Sequence, residues 1–251
     1  MKIKTLNPLL LCVSLIGITA FDAEAANIAT WQDSGNVSYF DSAITGAGHT
    51  PVSISALNSA GLSGSGVNLL FLLNTDNSGY SAEMTSGAPD LASFVSGGGS
   101  LVFFDRAAGN DNSTLVSILL GTFAFDIVRS PATNLDLSLP GHPSLAGLTD
   151  ASFDDGLYAA HGHIDSGNLP AGATSFIHVE GNPNQIVDFS YSFGAGTVRY
   201  STIPADFYAQ GFGPVSFQNA VDTYAGNLAV PEPSAVLLGG LGFLALLRRR
   251  R

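Results

Sequence analysis

The sequence has almost no cysteine and very little positive charge. Its single cysteine, Cys12, lies in an N-terminal apolar stretch, so residues 27–229 contain no thiol. A disulfide scaffold and thiol-based catalysis are therefore excluded for that region. Only Arg106, Arg129 and Arg199 lie between residues 27 and 229, against seventeen acidic residues, which gives a net charge of −14. Because so acidic a surface repels phosphate backbones, we expect no nucleic-acid partner.

Charged residues of either sign are also scarce, at 12% of the 251 residues, whereas 45% are hydrophobic. This composition excludes a disordered chain. Repeats of 20 to 50 residues are absent from the sequence, which excludes a solenoid or a propeller. Roughly 200 residues between the two terminal segments are enough for one well-buried domain.

The N-terminal segment has the features of a secretory signal. Lys2 and Lys4 precede a short apolar run at residues 9–18, and Ala23-Glu24-Ala25 then provides a small-residue cleavage site. The apolar run is too short to span a bilayer comfortably, which argues against a permanent N-terminal anchor. We therefore predict a signal peptide over residues 1–25 and a domain over residues 26–229.

The C-terminal segment, residues 230–251, has three parts in a fixed order. A proline-rich motif comes first, an uncharged apolar stretch suited to a helix follows at residues 234–247, and a cluster of arginines comes last. By the positive-inside rule, this cluster holds the tail on the cytoplasmic side. The motif and the cluster consist of Val230, Pro231, Glu232, Pro233, Arg248, Arg249, Arg250 and Arg251.

This order resembles the PEP-CTERM sorting signal of Gram-negative bacteria. The resemblance implies export through the inner membrane, a transient membrane anchor formed by the C-terminal transmembrane helix, and cleavage by an exosortase-type peptidase. It also implies a final place at the cell surface or outside the cell, in association with exopolysaccharide and biofilm. A permanent single-pass anchor is the alternative.

Between the two ends, strand-like and helix-like segments alternate. Residues 67–73 form a nearly continuous apolar run, as expected of a strand that is covered on both faces. Asn36 and Asn112 are predicted helix N-caps, and Pro89 is predicted in the first turn of a helix that ends at Gly97. Further strands are predicted at residues 28–31, 52–54, 101–104, 123–128, 175–179, 186–191 and 197–201. The alternation predicts an α/β fold, a three-layer sandwich with a mostly parallel sheet.

Several short motifs in this region resemble the class I glutamine-amidotransferase-like superfamily, and within it the trehalose-utilisation-type proteins. They are the strand at residues 69–74, the helix into Gly97-Gly98-Gly99, and the segments at residues 100–105, 142–148, 154–158 and 194–200. The resemblance implies a flavodoxin-like topology. Amidotransferases of this superfamily carry a nucleophilic cysteine after the strand that here ends at Asp105. The present chain has Arg106 next, so we expect no amidotransferase activity and no enzyme.

Asp105 and Arg106 form the first part of a candidate ligand site. At the carboxyl end of a parallel strand, Asp105 would face the crevice where α/β sheets bind ligands. It could there coordinate a hard cation or accept hydrogen bonds from sugar hydroxyls. The alternative is a loop carboxylate that caps the next helix, with Arg106 as its surface partner.

His161 and His163, with Asp155 shortly before them, form the second part. An H-x-H pair alone is weak support for a metal site, which needs three or four convergent ligands. No D-x-[DN]-x-[DN]-G calcium motif is present either. We therefore expect no cofactor, with calcium as the open alternative.

Three functions are compatible with these observations. The first is a non-catalytic, exported module that binds a ligand or glycan of an exopolysaccharide. The second is a carbohydrate-active hydrolase or isomerase that uses Asp105 with His161 or Asp155. The third is a purely structural component of the extracellular matrix.

Overall fold

A computed structural model describes residues 25–119 and 126–229 of the chain. Its strands are β1 Asn27–Gln32, β2 Gly35–Asn36, β3 Thr50–Val52, β4 Leu69–Asn74, β5 Ser100–Asp105, β6 Ile127–Ala132, β7 Leu135–Leu137, β8 Ala160–Asp165, β9 Thr174–Val179, β10 Asn182–Phe193 and β11 Gly196–Ser201. Its helices are α1 Asp41–Gly46, α2 Ser59–Gly64, α3 Ala82–Ser96, α4 Asn112–Ile118, α5 Ala205–Ala209 and α6 Val215–Ala229. Single 3-10 turns lie at Pro143–Leu145, Asp150–Phe153 and Ser166–Asn168.

One half of the sheet is parallel. Its strands lie in the order β3, β1, β4, β5, β11, and every neighbouring pair in this series is parallel. Numbered among themselves, these strands have the order 2-1-3-4-5, which is that of flavodoxin-like sheets. The parallel core predicted from the sequence is therefore present, and the carboxyl ends of its strands share one edge.

The other half of the sheet is antiparallel, which corrects the prediction of a mostly parallel sheet. Beyond β11 the strands continue in the order β10, β8, β6, while β9 pairs with β10 and β7 pairs with β9. Only Gly194 and Ala195 separate β10 from β11, and only Glu180 and Gly181 separate β9 from β10. Connections this short make hairpins, because a parallel crossover needs a dozen residues or more.

Helices cover both faces of the sheet, as the three-layer prediction requires. The apolar side chains of β4, from Leu69 to Leu73, alternate between two hydrophobic clusters, one on each face, and all of them are buried. Helices α1, α5 and α6 contribute to the first cluster, and α2, α3 and α4 contribute to the second. This two-sided burial explains the continuous apolar run in the sequence.

The helix starts differ from those predicted. Asn36 lies in β2 and caps no helix, because its side-chain amide exchanges hydrogen bonds of 2.6 and 2.9 Å with the backbone of Ile54. In α4 the capping side chain is that of Asp111, which accepts from the Thr114 amide at 3.0 Å. The neighbouring Asn112 instead donates to the Ile127 carbonyl at 3.1 Å.

Helix α3 begins earlier than Pro89 predicts. Ser81 caps it by accepting a hydrogen bond from the Met84 amide at 3.1 Å, and Pro89 lies inside the helix. The helix ends at the predicted place, since Gly97 is its C-cap.

Within the described residues, no helix is long and apolar enough to cross a membrane. The predicted signal-peptide features at residues 1–24 and the predicted apolar helix at residues 234–247 lie outside them. Residues 123–125 of the strand predicted at residues 123–128 also lie outside them. The last two positions of that prediction, 127 and 128, belong to β6.

Candidate functional site

Asp105 is the last residue of β5, at the edge where the parallel strands end, and its carboxyl group is fully buried. Oδ1 accepts hydrogen bonds from the Asn74 side chain at 3.0 Å and from the Ala107 amide at 2.9 Å. Oδ2 accepts from the hydroxyl groups of Tyr80 at 2.9 Å and Tyr200 at 2.8 Å. Burial raises the pKa of the Asp105 carboxyl, and these four hydrogen bonds oppose that rise. Asp105 thus joins β4, β5 and β11 at this edge.

Arg106 is not the partner of Asp105. Its Nη1 lies 2.9 Å from Oδ2 of Asp206, in the first turn of α5. Burial raises the pKa of Asp206, and the Arg106 guanidinium opposes the rise. The alternative that Asp105 caps the next helix also fails, because Asp111 occupies that position.

A cleft of about 280 Å³ opens beside this ion pair. It lies between the segment after β5, strand β6, the start of β8 and helix α5. Its lining residues are Asn77, Arg106, Arg129, Pro131, Tyr158, His161 and Phe207. Two of the three arginines between residues 27 and 229 thus line one cleft.

Arg129 lies on β6 and reaches across to the segment that follows β5. Its Nη1 donates to the carbonyl oxygens of Arg106 at 2.9 Å and Ala108 at 3.4 Å, and its Nη2 lies 3.5 Å from Oδ1 of Asn77. In the described part of the chain, no carboxylate lies within 4.0 Å of its guanidinium. Neutral groups therefore position the Arg129 charge without compensating it.

His161 lies on β8 and contacts the same backbone carbonyl. Its Nδ1 is 3.0 Å from the Arg106 oxygen and 3.5 Å from Arg129 Nη2, and we assign the proton to Nδ1 because the shorter contact is with a carbonyl, which only accepts. Burial lowers the pKa of His161 to about 4, with Arg129 and Arg106 adding to that effect and the carbonyl opposing it. The imidazole is therefore neutral at pH 7, with a lone pair on Nε2.

The rim of the cleft is aromatic. Tyr158 is 47% exposed and Phe212 is 53% exposed. Between them lies Phe207, whose ring centroid is 6.4 Å from that of Tyr158 and 5.2 Å from that of Phe212, with Phe207 and Phe212 stacked. Tyr158 also meets the His161 ring edge-on at 5.8 Å. A broad apolar surface thus adjoins the charged floor.

The structure brings Arg106 and His161 together in this cleft but not the other predicted residues. Asp155 is exposed in a turn with a φ of 58°, where its amide donates to Asn134 Oδ1 at 3.0 Å. His163 is buried, and its Nε2 lies 4.0 Å from an Asp165 oxygen. Across residues 25–119 and 126–229, no group of three or more His, Cys, Asp or Glu side chains is placed to hold a metal ion.

Sequence reasoning missed Arg129, Asp206 and Asn77. Arg129 meets Asn77, His161 and the segment after β5 only through tertiary contacts, so no local motif marks it or Asn77. One signal was present, however. In a region with three arginines among so many acids, each arginine is a candidate for a dedicated role.

Comparison with solved structures finds similar folds at low identity. Cytoplasmic Protein STM1381 from Salmonella typhimurium LT2 is 9% identical, with a TM-score of 0.55, over 81% of this chain and 98% of that one. Cytoplasmic Protein STM3548 from Salmonella typhimurium is 10% identical, with a TM-score of 0.47, over 79% and 97%. A protein described as ThuA-like, from Bacteroides uniformis ATCC 8492, is 14% identical, with a TM-score of 0.41, over 83% and 95%.

The fold is thus similar to that of Cytoplasmic Protein STM1381, and only the fold is carried over. A comparison with curated proteins finds none that matches this chain.

The C-terminal residues match a family model. Residues 229–251 fit the family described as the PEP-CTERM protein-sorting motif. This motif implies export, a transient C-terminal anchor and a place at the surface, with exosortase as the peptidase that recognises it. The chain therefore carries a mixed α/β domain followed by a PEP-CTERM protein-sorting motif.

Proposed function

We propose that the α/β domain is a non-catalytic glycan-binding module of the cell surface or the extracellular matrix. One observation carries this proposal: the cleft combines hydrogen-bonding groups with exposed aromatic rings. Arg129, Asn77 and His161 provide donors and an acceptor, while Tyr158 and Phe207 provide apolar faces. Sugars need both, because their hydroxyl groups form hydrogen bonds and their C–H faces pack on aromatic rings.

The enzymatic alternative has weaker support. Both oxygens of Asp105 are already engaged by four donors, and Asp105 does not line the cleft. His161, with a pKa of about 4, is a weak base, and the carboxylate of Asp206 is held by Arg106. A glycosidase needs two carboxyl groups that face each other across one cleft. The lining of this cleft contains none.

Binding of the full chain, purified from membranes in detergent, to a glycan array tests the proposal. The array includes the exopolysaccharide of the source organism, and each measurement is made with calcium and with EDTA. Saturable binding that Tyr158→Ala abolishes supports the module, whereas Tyr39→Ala, outside the cleft lining, should leave binding unchanged. Binding to no glycan would favour a structural matrix component, and release of shortened products would favour the enzyme. Loss of binding in EDTA would indicate calcium.

The sorting part of the proposal has its own test. We expect the triple substitution Pro231→Ala, Glu232→Ala and Pro233→Ala to leave the protein in the membrane, because the peptidase would no longer recognise its motif. Fractionation of cells and medium measures this. Unchanged release into the medium would show that sorting does not depend on the motif.

A further inference from the structure

The position of Arg129 depends on two glycines that let the segment after β5 approach β6. At Gly109, with a φ of +82°, a Cβ atom would lie 2.5 Å from the Arg129 nitrogen. At Gly162, the β8 residue paired with Arg129, a Cβ atom would lie 2.6 Å from the Val128 oxygen. Because both positions lack a side chain, the guanidinium can reach the carbonyls of Arg106 and Ala108. The fold thus fixes this charge in place.

The charge of the cleft is close to one positive unit. Arg106 is neutralised by Asp206 at 2.9 Å, and His161 is uncharged at pH 7 because its pKa is about 4. Arg129 alone has no carboxylate within reach among the described residues. In a region with a net charge of −14, this uncompensated guanidinium is suited to a single negative charge on a ligand.

The kind of anion follows from the groups around Arg129. A guanidinium pairs with a carboxylate or a phosphate through two parallel hydrogen bonds, and the single uncompensated charge of the cleft matches a carboxylate monoanion better than a phosphate dianion. The neighbouring Nε2 of His161 accepts a hydrogen bond, so it favours a ligand that also carries a hydroxyl group. The exposed rings of Tyr158 and Phe212, with Phe207 between them, then offer apolar faces in two orientations to the remainder of the ligand, since the Tyr158 and Phe207 rings meet at 78°.

We propose that the cleft binds an acidic sugar of a glycan, with the sugar carboxylate on Arg129, a hydroxyl group on His161 Nε2 and the sugar ring against Tyr158 and Phe207. This inference rests on the proposed glycan-binding function and specifies its ligand. The acidic protein then accepts an acidic polymer at one cationic point.

The experiment compares two trimers that differ only in the carboxyl group: a trimer of galacturonic acid and the galactose trimer that reduction of its carboxyl groups yields. Titration calorimetry of the full chain in detergent measures both affinities. We expect the acidic trimer to bind about 10- to 100-fold more tightly, the range that one charge-assisted pair provides. We expect Arg129→Gln to remove that preference, so that the two trimers bind the variant with similar affinity.

Asn184→Asp is the matched control. It lowers the net charge by one unit, as Arg129→Gln does, at an exposed position outside the cleft lining, and the new carboxylate still accepts from Ser166 Oγ. We expect its affinity for the acidic trimer to stay within about twofold of the unaltered chain. An equal loss in both variants would show that the whole-protein field, and not Arg129, attracts the ligand.

Other outcomes separate this inference from the proposed function. Equal affinity for the two trimers, or tighter binding of galactose 6-sulfate, inorganic phosphate or a glutamate tripeptide, would overturn the carboxylate-sugar proposal. In that case, binding to neutral glycans on the array would still support the proposed glycan-binding function. Should Arg129→Gln not fold, the trimer comparison on the unaltered chain decides, since equal affinity or tighter binding of the galactose trimer overturns the proposal.

Discussion

Arg199 and Arg129 both lie on strands of one sheet, but their guanidinium groups have different partners: Arg199 pairs with a carboxylate, whereas Arg129 contacts neutral groups. Arg199 is 5% exposed, and its Nε donates to Oδ1 of Asp188 at 2.8 Å, while its Nη1 donates to Ser144 Oγ at 2.8 Å. Its guanidinium also lies 3.6 Å from the centroid of the Phe176 ring. Arg129 lies in an open cleft on neutral carbonyls. A compensated arginine holds elements together, whereas an uncompensated one remains available to a ligand.

The largest expected effect on stability is that of replacing Arg199, the arginine paired with a carboxylate. Arg199→Met should lower the free energy of unfolding by about 3–5 kcal/mol, because it leaves the buried Asp188 carboxylate without its cation. The double variant Arg199→Met with Asp188→Asn should be less destabilised than Arg199→Met alone, since no buried charge remains unpaired. Urea unfolding of the unaltered chain, the two single variants and the double variant measures this. A double variant as unstable as the sum of the single variants would contradict the ion-pair explanation.

Asp105 sharpens the comparison, because it is as buried as Asp188 but has hydroxyl and amide donors in place of an arginine. Its raised pKa means that the folded state holds the proton more tightly than the unfolded state, whose carboxyl titrates near 3.8. The folded chain therefore loses stability as the pH rises from about 3.8 through the raised pKa.

Asp105→Asn removes this titration. We expect the substitution to lower the free energy of unfolding less at pH 7 than at pH 4, because only the unaltered chain loses stability through Asp105 as the pH rises above 3.8. Urea unfolding of both chains across this pH range measures the difference. A cost that does not change with pH would mean that Asp105 titrates alike in the folded and unfolded states.

For Arg129, which has no carboxylate partner within the part of the chain that the structure describes, the expected effect on stability is small. Arg129→Gln should lower the free energy of unfolding by about 1 kcal/mol, since it removes hydrogen bonds to two carbonyls but leaves no charge unpaired. The same urea titration checks it, with Asn184→Asp as the control. A loss as large as that of Arg199→Met would mean that Arg129 is a structural residue, and the comparison between the two arginines would fail.

The sequence predicted the parallel half of the fold better than the antiparallel half, for a physical reason. Strands such as β4 and β5 are covered on both faces, so their apolar runs are continuous and easy to identify. Strand β8 carries His161 and His163 at buried positions and has no apolar run, so it was not predicted. Its identity as a strand depends on pairing with β6 and β10, which are distant in the sequence.

The candidate site divides in the same way. Asp105, Arg106 and His161 were proposed as site residues because each stands beside a recognisable strand or motif, but of these three only Arg106 and His161 line the cleft. The prediction that Asp105 and Arg106 are partners was wrong. Arg106 pairs instead with Asp206, which follows the neighbouring strand β11 and reaches Arg106 only in the folded chain. Arg129 was missed because its contacts span more than twenty residues of sequence.

The smallest expected effect is on the titration of His161. Burial lowers its pKa to about 4, and the nearby charge of Arg129 adds to that effect. Because the folded state resists protonation, this histidine reduces stability as the pH falls from 6.5 towards 4. Arg129→Gln should raise the pKa of His161, since one positive neighbour is gone, whereas Asn184→Asp should leave it nearly unchanged. NMR titration of the imidazole measures both, and an unchanged value in Arg129→Gln would mean that the guanidinium is compensated in solution, so that the charge assigned to the cleft is absent.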